Sequence, residues 1–387
     1  MTDCHEAFPR AASFDGVLVA DLSRVLAGPY VAMTLADLGA DVVKVERPGA
    51  GDETRGWGPP WVDERSSYFV ALNRNKRSMT LDFDDPADLV LAQRLAARAD
   101  VLVENYRPGT LERFGLGYDQ LRAVNPRLVY CSITGFGSSP AAGSRAGYDL
   151  LVQAASGLMS ITGEPDGGPM KVGVALVDHI CALQALVGVM AALRERERSG
   201  AGQRVEVSLL GSALAALSNQ ASAYLLTGVE PSRFGNCHPS VVPYRVFLAT
   251  DGHFVLACGN DRQFERACHA VGRPELAADE RYVTNARRVS NRDALEAVLA
   301  ACFAAGSVEH WVGELVARGV PAGPINSVAE AFLLAERLGV APVAGVDEID
   351  EASVRSPVGL SATPTTVRRR APYLGEHDDE LRSWLSG

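Results

Sequence analysis

The sequence predicts an α/β protein: a large, Rossmann-like domain around a parallel sheet, followed by a smaller α+β domain. Three observations carry this. From residue 16 onward, short apolar strand-type runs alternate with helical stretches, as in sheets whose parallel strands are joined by crossover helices. Around residues 228–236 that alternation stops, and a hairpin pattern with three successive helical segments follows. A tail rich in Pro and Arg then leads to one terminal helix.

In chain order, VLVADL (17–22) is a short apolar strand run, and SRVLAGP turns it into the helical stretch YVAMTLADLG (30–39). ADVVKVERP is the next strand, closed by Pro48, since proline ends a ladder. DLVLAQRLAARA reads as a helix, DVLVEN as a strand, YDQLRAVN as a helix and RLVYCSITGFG as a strand. MKVGVAL (170–176) alternates apolar residues and reads as a strand leading to a long apolar helix, whose charged end RERERSGAGQ stops at Gly200 or Gly202. RVEVSLL is a further strand, and LGSALAALSNQASAYLL one long small-residue helix. YRVFLATDGHFVLAC reads as a hairpin turning at Asp251 and Gly252. Helices follow at DRQFERACHAVG, NRDALEAVLAACFAAG and SVEHWVGELVARG.

A net charge of −10 excludes a general nucleic-acid binder, which needs a basic face. An anionic ligand would require a local basic pocket. The N-terminal stretch has no basic region followed by an apolar core, so no secretory signal is expected there. The apolar run at 180–193 is shorter than the ~20 residues of a membrane span, and Gln184 interrupts it; a buried helix is expected and no membrane partner. The cysteines are seven, scattered, and without a C-x-x-C pair, which suits reduced thiols in a cytoplasm and argues against a zinc site.

The first strand–turn–helix–strand places Glu46 18 residues after Gly28, close to where dinucleotide folds hold the ribose. Yet the turn has one glycine where G-x-G-x-x-G needs three, and Pro29 removes a phosphate-binding N–H. A Rossmann-like topology without a dinucleotide is the better expectation, and Arg47 suits a phosphate there. Arg74, Lys76 and Arg77, ahead of the strand-like MTLDF, read as a solvated charge run. Asn105, Tyr106 and Arg107, with Arg113 beyond, follow an apolar strand. Ligands of open parallel sheets bind past the strands' carboxyl ends, so this segment is either part of a nucleotide site or a plain solvated loop.

Asp178 interrupts one of the most hydrophobic stretches, VGVALVDHICALQALVGVMAAL. Periodicity favours a helix N-cap. The alternative is a partly desolvated carboxylate, kept ionised by the positive end of its helix and usable as a nucleophile towards an activated acyl group.

With these residues assembled, the sequence resembles the family III CoA-transferases, the CaiB/BaiF group that also includes α-methylacyl-CoA racemase. The likeness runs through 26-LAGPYVAMTLADLGADVVKVERPG-49, 72-LNRNKRSMTLDF-83, 101-VLVENYRPG-109, 132-SITGFG-137, 147-GYDLLVQAASGLMSITG-163, 184-QALVGVMAALRERERSGAGQRVEVSL-209 and 370-RAPYLGEH-377. The resemblance implies an interlocked homodimer whose large domain uses both chain ends: residues 1–228, a small domain at 229–325, and a return at 326–387. It implies Asp178 as the catalytic aspartate. Leu26, Ala27, Arg47, Leu81, Asn105, Tyr106, Arg107, Arg113 and Tyr148 fall at coenzyme A positions. Coenzyme A would be a substrate, with no permanently bound cofactor and no metal. A racemase would need histidine in a G-H-D context, where this chain has Tyr148; a dinucleotide-binding or non-catalytic relative is the remaining alternative. The small domain lacks the glycine-rich loop of formyl-CoA transferase. Its 235-GNCHPSVVPYRVF-247 resembles the branch that uses succinyl-CoA and dicarboxylic acids, and makes His238 and Arg245 candidates for the second carboxylate.

Overall fold

The structure, a computed structural model, describes residues 12–143, 145–345, 349 and 351–387; Cys4 lies outside them. The chain divides into two compact units, one of Met1–Leu158, Lys171–Val229 and Ala341–Gly387, the other of Met159–Met170 and Glu230–Val340. Residues 159–170 thus group with the second unit, and the return begins at Ala341 rather than 326.

The first unit is built on a six-stranded sheet: β1 (Leu18–Asp21), β2 (Asp41–Glu46), β3 (Lys76–Thr80), β4 (Val101–Glu104), β5 (Val129–Thr134) and β6 (Arg204–Ser208). The strands are all parallel, in the order β3-β2-β1-β4-β5-β6, the doubly wound Rossmann order. Side chains alternate between faces, as strand geometry requires. Val19, Val42, Val101 and Val129 enter one core with the helices Ala27–Asp37 and Leu176–Ser199. Ala20, Val43, Leu102 and Tyr130 enter the other, with Pro86–Arg98 and Asp378–Ser386. The terminal helix also covers the β3 edge: the Asp378 carboxylate accepts the Thr80 N–H and hydroxyl, both at 2.6 Å.

Four local expectations are corrected. Residues 170–175 form no strand; the helix begins at Leu176 and ends on Gly200, in the left-handed conformation at φ +78°. This helix, 24 residues long, exceeds the apolar run seen in sequence and has the length and composition of a membrane span, with half of its apolar window buried in the fold. The long small-residue helix is two, Leu209–Ala216 and Ser218–Thr227, broken where Ser218 takes φ +44°. The charge run is not solvated: Lys76 is fully buried against Asp21 at 2.9 Å, and Arg74 is buried against Asp37.

In the second unit, β7 (Tyr244–Leu248) and β8 (His253–Ala257) form the hairpin, and β9 (Ala322–Pro324) pairs antiparallel with β8. Phe247, Phe254, Phe303 and Trp311 pack ring on ring under this sheet. Arg288 is also fully buried, over the Phe264 ring, donating to the Val242 and Tyr282 carbonyls at 2.7 and 2.9 Å.

Candidate active site

The site lies beyond the carboxyl ends of β1 and β4, where the strand order reverses and the two connecting loops diverge. Asn105 joins the loops: its Oδ1 accepts the Arg24 N–H at 2.8 Å, and its Nδ2 donates to the Arg24 carbonyl at 2.7 Å. The next residue, Val25, has φ +69°, a strained conformation for a β-branched side chain. Its N–H is held by both oxygens of Asp52, each at 3.2 Å. Asp52 is in turn paired with fully buried Lys44 at 3.0 Å, and Lys44 donates to the Ser23 carbonyl. Burial works against the Lys44 charge, but Asp52, Asp21 and Glu46 outweigh it and hold the ammonium above its ordinary range. Below them Lys76 meets Asp21, the Pro29 carbonyl and Asn73 Oδ1, three acceptors for three donors. Burial pulls its pKa down to about 8. A Cβ on Gly28 would collide with Ser23, so glycine is required where this loop meets its helix.

Two cavities open there. One, of about 250 Å³, is lined by Arg24, Leu26, Ala27, Asn105, Tyr106 and Arg107 among others. Arg24 pairs with Glu53 and lies over the Tyr106 ring at 5.0 Å, while Arg145 lies over Phe136. The other, about 910 Å³ and mainly apolar, has Tyr30, Trp57, Tyr68 and His179 in its walls. Val25, Leu26, Tyr148 and Asp178 belong to both. Tyr148 is delivered by a crossing of two loops at Gly135 and Gly147, where either Cβ would strike the other backbone.

Asp178 is not the N-cap: that position is Ala175, and Asp178 is the third residue of the helix, 8% exposed. The capping is done by Asp149. Its Oδ1 accepts the N–H groups of Val177 and Asp178, at 2.8 and 3.2 Å. Its Oδ2 accepts Gln153 Nε2 at 2.5 Å, and Gln153 Oε1 accepts the Val172 N–H at 2.9 Å. Burial, and then the adjacent Asp149 charge, push the Asp178 pKa up to about 7. Carboxylate and acid therefore coexist near neutrality, in place of the wholly ionised group expected from the helix end alone. His179 meets the Tyr30 ring edge-on at 5.0 Å, and burial lowers its pKa.

The structure thus gathers Leu26, Ala27, Asn105, Tyr106, Arg107, Tyr148 and Asp178 at one place. Arg47, Leu81 and Arg113 do not line the cavities: Arg47 and Arg113 are exposed, the latter over Phe114, and Leu81 is 3% exposed in the core. Glu46 is occupied by a two-pronged bond from Arg55, at 2.7 Å on each oxygen, and by the Ser78 hydroxyl, so it offers no free carboxylate to a ribose. In the second unit Arg245 is paired with Glu296, and His238 stacks obliquely on Tyr244. Arg292 Nη1 is 3.5 Å from the same Glu296. Arg24, Arg145 and Asp149 escaped the sequence reading. The only signal for Asp149 was its place in GYD, since it caps a helix 28 and 29 residues away.

The family model for CoA-transferase family III matches residues 14–378. Succinate–glutarate CoA-transferase of Agrobacterium fabrum is 42% identical, covering 97% of this chain and 96% of its own. Succinyl-CoA:mesaconate CoA-transferase of Haloarcula marismortui is 41% identical, with 95% of each chain covered. The crystal structure of a CaiB/BaiF family protein from Brucella suis matches with a TM-score of 0.87 and 43% identity, over 97% of this chain and 100% of that one.

Proposed function

The chain belongs to CoA-transferase family III, and from that premise we propose that it moves coenzyme A from succinyl-CoA to a dicarboxylic acid, with Asp178 as the nucleophile. The observation that carries this is the position of Asp178 in the walls of both cavities. One cavity offers arginines and an aromatic ring for a nucleotide thioester, and the other an apolar chamber for the acyl group. The names of the relatives support the substrates.

In the proposed mechanism the Asp178 carboxylate attacks the thioester carbonyl, giving a mixed anhydride and CoA thiolate. The thiolate attacks the aspartyl carbonyl, forming an aspartyl–CoA thioester and releasing the donor acid. The acceptor carboxylate then attacks this thioester to give a second anhydride and thiolate. Attack of the thiolate on the acceptor carbonyl yields the new acyl-CoA and restores Asp178. No proton is consumed overall. A carboxylate suits the task because anhydride and thioester are both activated, whereas a serine ester would hold the acyl group too stably.

Leu26, Ala27, Asn105, Tyr106, Arg107 and Tyr148 wall the coenzyme site in this reading. Arg47, at the carboxyl end of β2, and Arg113 serve the parts of coenzyme A that extend beyond the cavity, whereas the Leu81 side chain is buried in the core. In the second unit Arg245 pairs with Glu296, and Arg292 lies 3.5 Å from the same carboxylate. Arg245 and His238 stand as candidates for the acid's far carboxylate on the resemblance of 235-GNCHPSVVPYRVF-247 alone. Tyr148 in place of histidine counts against racemisation. A homodimer, interlocked in this reading, is supported by Leu183, Val187 and Met190, exposed at helical spacing on one face and open to a partner, and the free cysteines among the described residues suit a cytoplasmic enzyme.

The test is incubation with succinyl-CoA and a panel of mono- and dicarboxylic acids, read by mass spectrometry. Formation of dicarboxylyl-CoA with release of succinate is expected. Exchange of the α-proton without thioester transfer, or no transfer to any acid, overturns the proposal.

A further inference from the structure

Asp149 is used by more of the site than its place in sequence suggests. With Gln153, four residues on, it holds three backbone N–H groups: Val172 on the approach to the helix, and Val177 and Asp178 in its first turn. Gln153 is fully buried and links the two anchor points by its bond to Asp149. Side chains on the helix Asp149–Ala155 thereby fix the rotation of the turn that presents Asp178. A neutral acceptor would cap those N–H groups too. Here the acceptor is an acid, beside a nucleophile that must itself be negative.

We infer that Asp149 is a positioning residue that also raises the pH at which Asp178 becomes a nucleophile, fixing the first turn by its hydrogen bonds and adding its charge to the effect of burial in opposing ionisation of Asp178. This rests on the CoA-transferase reading above. The surroundings of Asp178 support it. Tyr68, from the helix Ser67–Asn73, senses Asp178 and Asp149, and burial with those charges raises its phenol to about 12. Cys181, on the same helix as Asp178, is raised to about 12, chiefly by burial. His179 is held towards its neutral form. Of the charges farther out in the two cavities, Arg24 is paired with Glu53 and Arg74 with Asp37. Arg107, Arg145, Lys171 and Arg355 are cations in the walls of the two cavities, and none of them lowers the Asp178 pKa. Among the described residues Asp149 is thus the one negative charge set directly against Asp178, and like charges at close range disfavour the second ionisation. The consequence is a nucleophile that switches on near neutral pH and remains a weakly held, reactive carboxylate above it.

Asp149→Asn keeps a carbonyl oxygen for the two N–H groups and removes the charge. In the pH profile of kcat/KM, the acidic limb of this variant should move to lower pH. At pH 6 it should retain, relative to its own plateau, at least about threefold more activity than the parent. A second readout needs no turnover: the difference in Tm between proteins with and without Asp178→Asn, followed against pH, reports Asp178 ionisation. Its midpoint should fall in the Asp149→Asn background. If Asp149→Asn does not fold, Asp149→Ser supplies an uncharged capping oxygen for both measurements. A uniform loss of rate with an unmoved midpoint reduces Asp149 to a helix cap and overturns the inference. Absence of any thioester exchange by the unsubstituted protein is a failure of the CoA-transferase reading instead, and the Tm midpoint then decides the inference alone.

Discussion

The side chain of Asn105 completes both backbone hydrogen bonds of Arg24, at 2.8 and 2.7 Å, and so ties together the loops that leave β1 and β4 in different directions. No strand can bridge loops at a point where the sheet order reverses, so a side-chain amide, through its carbonyl oxygen and one of its N–H groups, takes the place of a ladder residue. Asn105→Leu removes both bonds and leaves two peptide groups without partners, at a cost of about 1 kcal/mol each. The KM for acyl-CoA should rise about tenfold with a smaller change in kcat. Asn105→Asp, which keeps the acceptor alone, should lie between. An unchanged KM in Asn105→Leu would show that the loop holds its shape by other means.

Asp178 also gives a stability prediction with a definite sign. Its folded-state pKa is raised to about 7, so the folded protein keeps the proton that the unfolded chain loses near pH 4. That contribution to stability is complete below about pH 4 and lost as pH rises through about 7. Asp178→Asn cannot lose a proton. Its Tm should therefore gain on the parent as pH rises from 5 to 8, while CoA transfer is abolished. A Tm difference independent of pH, measured by calorimetry, contradicts the raised pKa. Full transfer activity in the variant sinks the mechanism.

The parts of this architecture that were legible in sequence are those set by local pattern. Runs such as VLVAD and VLVEN are buried on both faces, so their apolar character survives without knowledge of their neighbours. Asn105, Tyr106 and Arg107 were found because a rule of topology places ligands after strand ends. What failed was tertiary. Arg74, Lys76 and Arg77 look solvated by residue type, and only the positions of Asp37, Asp21 and Asp41 make them ion pairs. Val172, Val174 and Leu176 alternate like a strand but have no strand to pair with. The helix start was misplaced because its cap comes from Asp149, 29 residues before Asp178, beyond the reach of any local capping signature.

The buried pair beneath the site should behave asymmetrically. Lys76 and Asp21 are both fully buried and 2.9 Å apart. Removing one partner leaves a charge without compensation, which costs about 3–5 kcal/mol, whereas replacing both with apolar residues removes the desolvation penalty as well. Lys76→Met should lower the urea midpoint far more than the combination of Lys76→Met with Asp21→Leu, at a similar m-value. A double variant no more stable than the single one would mean that the Pro29 carbonyl and Asn73, the other acceptors of Lys76, dominate its contribution.

The cavity that contains Arg107 is open to solvent, and in the proposed complex the nucleotide of coenzyme A extends from it along the carboxyl ends of the strands. Arg47 is exposed just past the end of β2, next to β1 in the sheet, and makes no ion pair among the described residues. Arg107 is likewise unpaired among them, though it lines the cavity. Neither guanidinium has a folding role to lose, so alanine at either position should leave Tm unchanged. Each should weaken CoA by about tenfold, as expected for a charge-assisted phosphate contact. The loss should shrink as salt is raised, since exposed charge pairs are screened. Calorimetric titration of CoA into both variants at low and high ionic strength separates the outcomes. Weakening in Arg107→Ala alone confines the phosphates to the cavity mouth and removes Arg47 from the site. Weakening in both extends the nucleotide across the carboxyl ends of β1 and β2.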